Sequence, residues 1–178
     1  MIKTWNVACA MVLGMSTSLY ADEKPRADRE QAYSDAMFVE KAGICGLEEV
    51  ALGKIAQTNA ERADVKQFAA RMVEDHAKCN EKLMAAAKTA GVETPVAVPQ
   101  ECKKEIERLQ ALRGAEFDRA YLSKQLKGHE KAVALFTTAS EKAQNAELKS
   151  FAAQTLPTLK EHYEMVKKLA TAAGAGGE

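Results

Sequence analysis

The segment Val65-Lys66-Gln67-Phe68-Ala69-Ala70 recurs as Leu148-Lys149-Ser150-Phe151-Ala152-Ala153 at a constant offset of 83 residues (148 − 65). Each copy opens a long helical pattern with one histidine near its middle, His76 in the first and His162 in the second. The histidines are 86 residues apart (162 − 76), so three residues are inserted around Leu156-Pro157-Thr158. Three residues make nearly one turn of about 3.6, so His162 keeps roughly the face of His76. Pro157 is expected to kink the second helix. A duplicated helical hairpin is the simplest account of the repeat.

Upstream of the first copy, Phe38, Ala42, Cys45, Glu49, Leu52 and Ala56 recur at three- and four-residue steps. They mark the inward stripe of a first helix, expected over residues 29 to 57. Gly43, Gly46 and Gly53 interrupt it. A glycine inside a helix costs about 1 kcal/mol against alanine, which points to close approach of another element. Residues 59–64 supply caps for a second helix, Ala63–Ala90, and Gly91 stops it. Pro95 and Pro99 hold residues 91–100 as an extended loop, and residues 101–113 form a short charged helix closed by Gly114. A third long helix follows over residues 115–143, and Asn145 caps a fourth, Ala146–Ala172. Two hairpins joined by a long crossover predict an all-α fold, a ferritin-like four-helix bundle over residues 31–172. The Gly-rich end, residues 173–178, is expected to be disordered.

The 178 residues suffice for one domain with a sizeable core. Lys and Arg total 25, as do Asp and Glu, and the charges are interspersed along the helices. With no basic block carrying interleaved aromatics, nucleic acid is excluded as a partner. Signatures for a nucleophile elbow, a phosphate loop or a zinc finger are absent as well.

Residues 1–21 read as an export signal: Lys3, an apolar run from Val7 to Leu19, then Ser18-Leu19-Tyr20-Ala21 before charged residues. The run is too short to span a membrane, and cleavage after Ser18 is the alternative site. Residues 22–30 form a loose tether, and the mature chain is expected to be periplasmic or secreted, without a membrane span. Three cysteines then remain under oxidising conditions, Cys45, Cys79 and Cys102. Cys45 and Cys79, about 15 and 17 residues from the first hairpin turn, fall at nearly one height and are expected to form a disulfide; a Cys79–Cys102 pairing, or two thiolates on a soft metal such as Cu(I), is the alternative. Cys102 is left free and able to join two chains as a homodimer.

Glu49, His76, His129 and His162 stand about 11 to 17 residues from their hairpin turns, which places all four near mid-bundle. One acid and three imidazoles at one level make a plausible first shell for a divalent metal such as zinc, copper or iron. Asp118, Cys79 and Met165 share faces with these residues and form a second tier of donors. Asp75, Glu130 and Glu161 adjoin histidines and are read as solvated groups or as partners that orient the ligands. The competing reading is a structural or partner-binding bundle whose histidines satisfy core hydrogen bonds. A third is a small metal-dependent enzyme.

The segments Glu49-Val50-Ala51-Leu52-Gly53, Met72-Val73-Glu74-Asp75-His76, Phe117-Asp118-Arg119-Ala120-Tyr121-Leu122 and Leu156-Pro157-Thr158-Leu159 with His162 resemble an exported bacterial family, domain-of-unknown-function family 4142. The resemblance covers about residues 33 to 170 and implies a ferritin-like bundle in the envelope, with no activity attached. The chain departs from ferritin-like di-iron oxidases, which place a glutamate three residues before the helix histidine. Val73, Leu126 and Leu159 hold those positions here, which argues against di-iron oxygen chemistry.

Overall fold

The computed structural model describes residues 33–175. The leader and tether expected over residues 1–30 lie outside the described residues. Five helices follow one another: α1 (Asp35–Asn59), α2 (Ala63–Ala90), α3 (Gln100–Ala111), α4 (Gly114–Lys142) and α5 (Ala146–Ala172). There is no strand among the described residues, and none of the helices is long and apolar enough to cross a membrane.

Local chemistry sets the boundaries. α1 begins at Asp35 rather than residue 29 because Ser34, in extended conformation, caps it through Oγ, 3.1 Å from the Met37 N–H. Gly91 ends α2 with φ at 67°, and the Val92 N–H then reaches back to the Ala87 carbonyl at 2.9 Å. Asn145 caps α5 by accepting from the Glu147 and Leu148 N–H groups. That helix runs unbroken through Pro157. Past the helix the Ala175 N–H bonds the Ala170 carbonyl at 2.8 Å, and Ala173 and Ala175 pack against the core.

The long helices pair as α1 with α2 and α4 with α5, and the hairpins join through α2 on α5 and α1 on α4. α3, in the crossover, lies against α1 and α4. A carboxylate fastens each hairpin turn to the other hairpin. Asp118, near the start of α4, accepts from the Glu61 and Arg62 N–H groups at 3.1 and 3.0 Å. Asp35, at the start of α1, accepts from Gln144 and Asn145 at 3.1 and 2.8 Å. The two clamps correspond at the offset of the sequence repeat: 118 − 35, 144 − 61 and 145 − 62 are all 83. The duplication therefore extends past the helices into the turns, and α1 and α4 must run antiparallel for both clamps to close.

The glycines of α1 are points of close approach. Pro95 packs where a side chain at Gly43 would stand, Asn80 where one at Gly46 would, and Val73 with the Ala69 carbonyl crowd Gly53.

Two apolar clusters fill the bundle. One, centred on Phe38, Phe136 and Phe151, sits at the α4–α5 turn; the other, with Leu52, Phe68, Met72, Phe117 and Tyr121, sits at the α1–α2 turn. Between them each long helix contributes a buried polar residue: Glu49 from α1, His76 from α2, Gln125 and His129 from α4, His162 from α5.

Candidate metal centre

The polar layer converges on three imidazoles. The rings of His76, His129 and His162 lie 5.5 to 5.7 Å apart, centre to centre. One ring nitrogen from each falls within 4.8 Å of the other two. Exposure is 4% for His76 and 1% for each of the others, so water does not solvate the cluster freely.

Neighbouring groups orient two of the rings. His129 Nδ1 is 3.0 Å from the Gln125 carbonyl one turn earlier on α4. A carbonyl only accepts, so Nδ1 carries the proton and Nε2 keeps a lone pair. His162 Nε2 is 2.9 Å from Asp75 Oδ2 across the α2–α5 interface. There the carboxylate accepts from Nε2–H, which leaves Nδ1 of His162 with its lone pair. His76 Nε2, His129 Nε2 and His162 Nδ1 are buried without a hydrogen-bond partner.

Electrostatics keep the His76 and His162 rings neutral. Burial, then the neighbouring His129 and His162, bring the His76 pKa down to about 3. Burial also takes His162 down to about 4, against the opposing pull of Asp75. Burial works to raise Asp75, but hydrogen bonds from His162 and Arg71 outweigh it and hold the carboxyl below its ordinary range. Arg71 continues the chain outward, bonding Asp75 at 3.1 Å and Glu161 at 3.0 Å.

Glu49 belongs to the layer but not to the trio. Its carboxylate accepts from Gln125 Nε2 at 2.6 Å, and burial raises its pKa against the pull of His129 and Gln125. Gln125 thus links the acid to the cluster, its side chain on Glu49 and its carbonyl on His129. The sequence offered one signal for Gln125: it stands four residues before His129, on the same helix face.

A model of the domain of unknown function DUF4142 matches residues 21–169. The chain belongs to this family. No curated protein matches it. Among solved structures, a candidate secreted DUF305 protein from Streptomyces coelicolor is similar at a TM-score of 0.67 and 15% identity, over 79% of this chain and 93% of that one. At that identity the likeness speaks for the helical fold alone.

The second-tier donors of this DUF4142 chain are engaged elsewhere. Asp118 is spent on the α1–α2 turn, and Met165 Sδ accepts from Arg71 Nη1 at 3.4 Å. The expected Cys45–Cys79 disulfide is not formed; these two and Cys102 are free thiols. Beside them the α1–α2 contact is made by Gly46 against Asn80. Cys79 sits beside the Thr155 hydroxyl of α5, its pKa pushed up to about 11 mainly by burial. Cys45 lies by Glu48 and Lys124, toward α4, and burial raises it further.

Proposed function

We propose that His76, His129 and His162 bind one divalent late transition metal, zinc, copper or iron, within a ferritin-like four-helix frame. The observations that carry this reading are that each of three buried imidazoles leaves a ring nitrogen without a partner, and that one nitrogen from each ring lies within 4.8 Å of the others. A buried polar atom without a partner costs about 1 to 3 kcal/mol, and one cation offsets all three at once. His76 and His162 are neutral at physiological pH, so their lone pairs are available. Metal–imidazole bonds of about 2.0 to 2.1 Å need donor nitrogens no more than about 4.2 Å apart, so binding draws the trio slightly together from its 4.8 Å limit.

Three nitrogen donors favour such ions over magnesium or calcium, which prefer oxygen. The Gln125 carbonyl on His129 and Asp75 on His162 are the outer partners that ligating histidines ordinarily have. An ion held by three protein groups keeps room for a further ligand, and Glu49, bonded to Gln125 and in the field of His129, is the buried acid of the same layer. The chain is exported after removal of residues 1–21. Support for that part comes from the leader pattern.

Elemental analysis and titration of protein purified without a histidine tag test the site. One equivalent of Zn²⁺, Cu²⁺ or Fe²⁺ is expected, lost in the His76→Ala/His162→Ala double variant. A wild-type chain that binds none of them more tightly than free imidazole belongs to the structural-bundle reading instead. The intact mass of the exported protein should begin at Asp22, or at Leu19 for the alternative cleavage.

A further inference from the structure

A groove of about 1060 Å³ runs along the outside of the bundle between α1 and α4, with α3 contributing to its wall. The floor is apolar or small, with Ile44 from α1 and Ala120, Gly128, Ala132 and Leu135 from α4. The rim is cationic: Lys41 lines it from α1 and Arg119, Lys127 and Lys131 from α4. None of these four makes an ion pair among the described residues. The two carboxylates in the lining are already matched, Glu48 with Lys124 at 3.0 Å and Glu105 with Arg108 at 2.8 Å. In a chain whose formal charges cancel, this groove collects four unmatched positive charges over an apolar floor.

Arg119, Ser123, Lys127 and Lys131 follow at four-residue steps, a single row of α4 about 18 Å long. We infer that the groove binds an anionic amphiphile, a linear hydrocarbon chain lying on the floor with one carboxylate or phosphate head against the lysine rim. Lysine suits both parts, because its stem covers apolar surface while its ammonium stays at the edge. The Glu48–Lys124 pair joins α1 to α4 inside the lining, which leaves room for an acyl chain and not for a partner helix about 10 Å across. The lining has no aromatic residue on which a nucleic-acid base could stack. It has no histidine either, so this inference does not rest on the metal centre.

The test is fluorescence titration of the mature protein with 11-(dansylamino)undecanoate in EDTA, followed by displacement with oleate, dodecyl phosphate or dodecanol. Saturable one-to-one binding is expected, displaced by either anion and not by the neutral alcohol. Displacement by only one anion identifies the head group. Lys127→Glu/Lys131→Glu should weaken binding at least tenfold with helicity unchanged, and Lys41→Glu, on the opposite wall, should weaken it too. Absence of saturable binding, equal competition by dodecanol, or charge-reversed variants that bind as the wild type does would overturn the assignment.

Discussion

Asp75 on α2 is bonded not to its neighbour His76 but to His162 on α5, at 2.9 Å between Oδ2 and Nε2. This one contact selects the His162 tautomer and leaves the buried Nδ1 with its lone pair bare. A carboxylate in that place also makes the ring a stronger donor. Asp75→Asn keeps the shape and removes the charge. It should weaken metal affinity by about 10- to 100-fold while the one-to-one stoichiometry persists. Competition against a chromophoric chelator measures this, and an unchanged affinity would detach Asp75 from the site.

Acid should destabilise the metal-free protein through the histidines. In the folded chain His76 sits at about 3 and His162 at about 4, against about 6.5 when unfolded. Between these values the unfolded chain binds more protons, so stability is full above about pH 6.5 and falls as pH drops. At pH 5 the loss is about 2 kcal/mol for each of the two rings. Glu49, raised by burial, acts in the opposite sense, so the wild type is best compared with His76→Ala/His162→Ala. Urea midpoints at pH 7.5 and 5 should separate for the wild type far more than for the variant. Equal separations would show that these rings are not held neutral.

Asp118 should matter to stability and not to metal. The residue is 2% exposed, and its carboxylate holds two backbone N–H groups of the α1–α2 turn. Asp118→Ala is expected to cost about 2 kcal/mol in chemical denaturation and to leave metal stoichiometry intact. Asp35→Ala, its counterpart on a more open turn, should cost less. A loss of metal in Asp118→Ala would return that residue to the site.

These positions show which parts of the molecule periodicity could reach. Spacing along one helix reports face and height, and that sufficed to place Glu49, His76, His129 and His162 in one layer. Asp118 shares the face of His129 but stands eleven residues away, about 16 Å along the axis, at the turn rather than the layer. Cys45 and Cys79 share a height, but height says nothing of which neighbour each sulfur turns toward. The Asp75–His162 contact joins two hairpins, and its selection depends on how α2 packs on α5. No single-helix pattern carries that information.

Gly53 sets two effects of opposite sign against each other. Alanine in a helix interior is favoured over glycine by about 1 kcal/mol, so propensity alone predicts that Gly53→Ala stabilises. A Cβ there would meet Val73 Cγ2 at 2.7 Å and the Ala69 carbonyl at 3.0 Å. The carbonyl belongs to the α2 backbone and cannot rotate away, so α1 and α2 would have to part. Overpacking of this kind costs about 1 to 3 kcal/mol, which outweighs the propensity gain. Gly46→Ala meets instead the movable end of the Asn80 side chain, which a rotamer change can clear, and should be the milder of the two. Thermal unfolding of both variants decides: Gly53→Ala is expected to melt below the wild type and below Gly46→Ala. A Gly53→Ala protein that melts higher would mean the two helices have slack at that crossing.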